Sequence, residues 1–148
     1  MRAGGGAVWA GPVFVTTLAP GIFTADPEGT LAAGIAVPGT ADGTETVHYT
    51  SRCEASGCSA APMEAGAPAG SVVLLLFGTG IRAAGQRGVA ATAGEADLPV
   101  LYAGAQGEYA GLDQVNLVLP RPLAGKGLLE VRLSAGGVPA NPVAIEVR

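Results

Sequence analysis

The hexapeptide Gly78-Thr79-Gly80-Ile81-Arg82-Ala83 carries the most suggestive chemical pattern in the chain. It matches G-x-G-x-x-G/A, it follows the apolar run Val72–Phe77, and Asp97 lies 19 residues after Gly78. In a dinucleotide-binding fold such glycines open a helix whose first amides hold a pyrophosphate, and the acid holds a ribose hydroxyl. That chemistry needs an uninterrupted helix with an apolar stripe behind it. Gly85 and Gly88 break it early, Gln86 and Arg87 supply no stripe, and no second βα unit follows. Nucleotide binding through Gly78–Ala83 is therefore an alternative that its surroundings oppose. Gly78 and Gly80 are expected instead to let the chain leave a central strand through a turn of special backbone.

Other chemistry is poorly supplied. A Ser-His-Asp triad would have to use His48, the only histidine, and no G-x-S-x-G elbow is present. The carboxylates are dispersed, so no pair is fixed at a separation suited to acid–base work. Asp26 and Glu28, in Thr24-Ala25-Asp26-Pro27-Glu28-Gly29, match a calcium loop poorly and read as a solvated turn. Cys53 and Cys58 would need more N/S ligands than His48 to hold zinc. A hairpin loop Glu54–Gly57 would instead place them across from each other, within reach of a disulfide and hence in an oxidising compartment. No catalytic residue, cofactor or metal site is expected. The richest polar stretch is Gly104–Gln114, where Gln106, Glu108, Tyr109 and Asp113 form a candidate ligand loop: a tyrosine beside amides and carboxylates stacks on and hydrogen-bonds a sugar. The competing reading has Tyr109 closing one end of a sandwich, with Gln114 and Asn116 pairing with loop backbone.

The elements that must position these groups are strands. The chain has 148 residues, 49% of them hydrophobic, which suits one domain. Its 24 glycines and 11 prolines leave few windows of helical length. Leu129, Val131 and Leu133 alternate with polar neighbours, as do Val143, Ile145 and Val147, with the turn signal Gly136-Gly137 between the two sets. In Thr46–Cys53 the alternation puts Val47, Tyr49, Ser51 and Cys53 inward and His48 on the wetter face. Val72–Phe77 reads as a central strand buried on both faces, with Val73, Leu75 and Phe77 in the core. Leu98–Tyr102, which brings Val100 into the core, and Gln114–Leu119, with Val115 and Leu117 inward, complete the strong strands, and Val89–Ala93 is a weaker one. Asp42-Gly43 marks a turn, and Gly66–Gly70 and Pro120–Gly127 are loops. Strands spaced by turns, without helices between them, indicate an all-β chain with antiparallel pairing. Near the start, Gly11 and Pro12 interrupt the apolar stretch and only Arg2 precedes it, so Pro12–Leu18 reads as a strand rather than as a cleaved signal.

Charge narrows the partners. Eight basic and 12 acidic residues give a net charge of −4, and the basic residues are scattered, so nucleic acid is not an expected partner. No run of 18 apolar residues exists to form a membrane-spanning helix.

Four segments form a recognisable set: Leu18–Ala25 (LAPGIFTA), Val72–Arg82 (VVLLLFGTGIR), Val100–Asn116 (VLYAGAQGEYAGLDQVN) and Gly136–Val147 (GGVPANPVAIEV). In this order and spacing, over residues 18–148, they closely resemble an uncharacterised carboxy-terminal domain that occurs as many paralogues in Solibacter-type soil bacteria. The resemblance implies an antiparallel, immunoglobulin-like β-sandwich related to the IPT/TIG kind, at the end of a secreted or surface protein. It implies a non-catalytic module for adhesion, attachment or spacing, located outside the cell or on its surface, with other extracellular modules or surface glycans as partners. Residues 1–17 look like the tail or last strand of a preceding module, so that Met1 would lie inside a longer gene product.

Overall fold

A computed structural model describes residues 10–13, 15–39, 46–65 and 71–148. The protein is all-β, with antiparallel sheets. One sheet is built on β6 (Val72–Thr79). Along one edge β6 pairs antiparallel with β10 (Asp113–Leu119), which pairs in turn with β9 (Val100–Ala105). Along its other edge it pairs first with β1 (Gly21–Ile22) and then with β2 (Gly34–Pro38), which carries the short β3 (His48–Tyr49). The second sheet is built on β11 (Gly127–Ala135). It is flanked by β7 (Val89–Ala93), with β8 (Ala96–Asp97) beyond, and on its other edge by β12 (Val138–Pro139) and β13 (Val143–Val147). A separate exposed hairpin joins β4 (Ser51–Glu54) to β5 (Gly57–Ala60).

The inner faces of the two sheets share one hydrophobic core. Val72, Leu74, Leu76, Val115, Leu117 and Leu119 enter it from the first sheet, and Val131, Leu133, Val143, Ile145 and Val147 from the second. Each buried Leu or Val contributes about 1.5–3 kcal/mol before conformational entropy opposes it. Two segments also lie in parallel along the free edge of β13. Ala32 N–H donates to Ala144 O and Ala144 N–H to Thr30 O, and further along Met63 N–H donates to Glu146 O and Arg148 N–H to Met63 O. The chain therefore leaves the first sheet after β1, touches the second at residues 30–32, and returns to the first as β2.

Asp26 makes that excursion possible. It is a buried carboxylate, not a solvated one. It accepts hydrogen bonds from Leu31 N–H at 2.6 Å, Thr30 N–H at 3.0 Å and the Thr30 hydroxyl at 2.5 Å. Burial disfavours its charged form, but the Thr30 hydroxyl and the Leu31 and Thr30 amides outweigh that and hold its pKa below the ordinary value. Thr50 does similar work where β2 meets β3: buried, it accepts from Gly34 N–H at 3.0 Å and donates to Ala32 O at 2.6 Å.

Several sequence expectations change. Pro12–Leu18 forms no strand among the described residues, and Val13 and Val15 are 86% and 92% exposed, because no neighbouring strand offers them a ladder. Val47 and Tyr49 are surface residues, not core, at 49% and 72% exposure; Thr50 takes the buried place, and it interrupts the strand so that β3 and β4 do not share one alternation. In β6 the fully buried side chains are Val72, Leu74 and Leu76, whereas Val73, Leu75 and Phe77 are half-buried on the outer face. An apolar run on both faces carries no signal for which face is inner. Val100 and Leu129 are likewise only partly buried against the core. The expected turn at Asp42-Gly43 and loop at Gly66–Gly70 lie outside the described residues. The Gly136-Gly137 turn is present, both residues having positive φ, and joins β11 to β12.

Two outcomes follow. Leu117→Asp or Val131→Asp abolishes the cooperative unfolding transition, and a variant with the wild-type melting temperature would refute the core assignment. For Asp26, a pKa lowered by folding stabilises the native state fully above the unfolded carboxylate pKa, and that contribution disappears as pH falls through the lower, folded value. The stability gap between wild type and Asp26→Asn, read by denaturant titration, should be widest near neutrality and shrink in acid.

Candidate functional site

β6 ends at Thr79, just past Gly78, and no α-helix follows. Arg82–Ala84 and Gln86–Gly88 are single 3₁₀ turns. The glycines serve a close approach of backbone. A Cβ on Gly78 would collide with Gly21 O, and one on Gly80, whose φ is +71°, with Ala19 O. Ala19 N–H donates to Gly80 O, and β1 pairs Gly21 with Thr79. Asn141 locks this segment from the far side: its Oδ1 accepts Ile22 N–H at 2.8 Å and its Nδ2 donates to Ile22 O at 3.1 Å.

The amides that a phosphate would need are already taken. Asp113, at the start of β10, is buried, and its carboxylate accepts Ile81 N–H at 2.7 Å and Arg82 N–H at 3.1 Å. The Arg82 guanidinium pairs with the same carboxylate through Nε and donates through Nη2 to Leu112 O at 2.8 Å. The anion cradle suggested by Gly78–Ala83 thus exists, but the protein's own carboxylate fills it. The Ile81 and Arg82 amides and the Asp113 carboxylate are thus engaged with each other, and Asp113 is not presented at the surface with the rest of the loop.

The rest of the loop forms a surface site. Residues 106–112 are closed by Gln106 N–H to Leu112 O at 2.9 Å and Leu112 N–H to Tyr109 O at 3.2 Å. Gln106 Oε1 accepts from Glu108 N–H at 3.0 Å and Tyr109 N–H at 3.3 Å, so this side chain fixes the bend that presents Tyr109. Tyr109 is 67% exposed. It borders an open groove of about 790 Å³ with Phe23, Phe77, Thr79, Gln106 and Leu112 among its lining residues. Of the four residues expected to form a ligand loop, Gln106 and Tyr109 line this groove, whereas Glu108 is exposed and is not among its lining residues. Gln114 and Asn116 do not bind loop backbone; they bond each other, Gln114 Nε2 to Asn116 Oδ1, at 2.7 Å.

Phe23 and Phe77 are the residues that sequence reasoning missed. Phe77 is hidden in a run apolar on both faces. Phe23 reaches the groove because Phe23 N–H donates to Phe77 O, a pairing between points far apart in the chain that local pattern does not reveal. Comparison with protein-family models, curated proteins and solved structures finds no match to this chain.

Replacing Asp113 with Ala leaves two backbone N–H groups without their acceptor and Arg82 without its partner. Chemical denaturation should show a loss of about 2–3 kcal/mol, moderated because Arg82 is partly exposed to water. A change within a few tenths of a kcal/mol would show that the carboxylate does not hold this turn.

Proposed function

We propose that this chain is a non-catalytic extracellular module of immunoglobulin-like type, serving adhesion, attachment or spacing within a larger secreted or surface protein. The observation that carries the reading is how buried polarity is used. Asp26, Thr50 and Asp113, the buried polar side chains among the described residues, are each engaged by hydrogen bonds that shape the chain's own backbone. A catalytic group needs some of that capacity for a substrate.

The strand order supports the immunoglobulin-like assignment. In the first sheet it runs β2-β6-β10-β9 and in the second β13-β11-β7-β8, an arrangement that corresponds to the A-B-E-D and G-F-C-C′ sheets of that fold. Residues 30–32, parallel to β13, stand where a first strand crosses from one sheet to the other. Export is supported by the disulfide between Cys53 and Cys58, which face each other across the exposed β4–β5 hairpin. A bond on so exposed a hairpin persists in an oxidising compartment and is reduced in a cytosol. Protein exported and purified without reductant should resist alkylation at both cysteines until it is reduced; two freely alkylated thiols in that material would refute the disulfide and remove its support for export.

A second reading, carbohydrate binding, is favoured by the groove between Phe23, Phe77 and Tyr109. Aromatic faces stack on the apolar faces of sugar rings, and Thr79 and Gln106 line the same groove as polar partners. On a glycan array, wild-type protein should bind a subset of glycans, and Tyr109→Ala should lose that binding while keeping its melting temperature. Absence of binding to every glycan would remove this reading and leave the first in place.

A further inference from the structure

The basic residues are scattered along the sequence, but two of them meet the only histidine in space. Arg52, Arg148 and His48 line a surface cleft of about 470 Å³, together with Tyr49 and Ser51, and no carboxylate is among its lining residues. Three elements bring them there. His48 and Tyr49 form β3, held on β2 through the pairs Ala36–His48 and Ile35–Tyr49. Thr50 is buried and its N–H donates to Gly34 O at 3.0 Å, so the chain turns there and Ser51 and Arg52 leave on β4. Ala61 N–H donates to Thr50 O at 2.9 Å and closes the base of the hairpin. Arg148 arrives from the end of β13, its N–H donating to Met63 O at 2.9 Å. Backbone hydrogen bonds thus fix every wall of the cleft. Its two guanidiniums are engaged differently. Glu64 Oε1 accepts from Arg148 Nε at 2.7 Å, which orients that side chain by one nitrogen and leaves its two terminal nitrogens as donors. Arg52 forms no ion pair among the described residues.

We infer that this cleft binds an acidic sugar, a ring that carries a carboxylate or a sulfate. Charge selects the ligand. The chain as a whole carries a net charge of −4 and repels anions, whereas here two guanidiniums converge with no lining carboxylate to oppose one. The planar guanidinium matches carboxylate and sulfate oxygens in pairs, and it loses less hydration than an ammonium on doing so. The remaining lining groups suit the ring that bears the charge. Tyr49 is 72% exposed and offers an aromatic face for stacking. The Ser51 hydroxyl and the His48 imidazole supply donors and acceptors for sugar hydroxyls. A bare inorganic anion would engage the arginines and leave the tyrosine unused. The cleft shares no lining residue with the groove of Phe23, Phe77 and Tyr109, so the two sites stand or fall separately.

Titration calorimetry at low salt tests this with four probes: oligogalacturonate, its fully methyl-esterified form, a sulfated chondroitin oligosaccharide and inorganic sulfate. The wild-type chain should bind at least one of the two acidic oligosaccharides, and binding should weaken in about 0.5 M sodium chloride. Arg52→Ala and Arg148→Ala should each weaken it about fivefold or more, and Tyr49→Ala should weaken it in the same direction. All three positions are exposed, so the variants should keep the wild-type melting temperature. Arg121→Ala, an exposed arginine outside the cleft, should bind as wild type does, as should Tyr109→Ala in the other groove. Failure to bind either acidic oligosaccharide would overturn the inference. So would equal binding of the methyl ester, inorganic sulfate binding as tightly as the sulfated sugar, or acidic-sugar binding that survives both arginine variants.

Discussion

The buried carboxylate of Asp113, seated on the amides of Ile81 and Arg82, is the interaction on which this end of the molecule depends. It joins the first residue of β10 to the turn that follows β6, two points 31 residues apart in sequence. Because it holds that turn, Gly78 and Gly80 remain where residues 19–22 can approach them without side chains between. Asn141, from the segment before β13, then fastens Ile22 from the second sheet's side. The path of the chain from β1 out to β13 and back to β2 starts from this fixed point.

Seen chemically, the Gly78–Ala83 turn is an anion site turned inward. Two successive N–H groups and a guanidinium converge on one carboxylate, an arrangement that on another scaffold would hold a phosphate. Charge-assisted hydrogen bonds are among the stronger polar interactions available to a fold, and a buried acceptor without its donors is costly. Asp26 repeats the device on a smaller scale with the Thr30 and Leu31 amides, and Thr50 repeats it without charge. In each case a short polar side chain closes backbone that no ladder closes. A chain with many glycines and prolines and few long strands needs such devices where its ladders stop.

The one-sided strands are legible in the amino-acid sequence. Leu129, Val131 and Leu133, and Val143, Ile145 and Val147, alternate with polar residues because only one side of the second sheet meets the core, and their inward sense is as expected, although Leu129 is only partly buried. The pairing of Cys53 with Cys58 is legible because hairpin geometry is local, although the loop itself is tighter than expected, with Glu54 and Gly57 still paired. Phase fails in β6, where the outer face is as apolar as the inner, and at Val47 and Tyr49, where Thr50 breaks the alternation. The role of Asp113 is illegible because its partners are distant in sequence: read along the chain, it is one acid in a polar loop. The same distance hides the groove, since Phe23 and Phe77 join Tyr109 only once β1 has been laid against β6.

Amide hydrogen exchange at Ile81 and Arg82 is the most direct test of the inward-turned site. Bonds to a buried structural carboxylate open only with the fold, so both amides should exchange as slowly as those of Leu74 and Leu117 in the core, and both should lose that protection in Asp113→Ala, which removes the acceptor. Fast exchange at Ile81 and Arg82 in the wild-type protein would mean that these amides are free for an outside anion, and protection unchanged in the variant would mean that something other than Asp113 holds the turn.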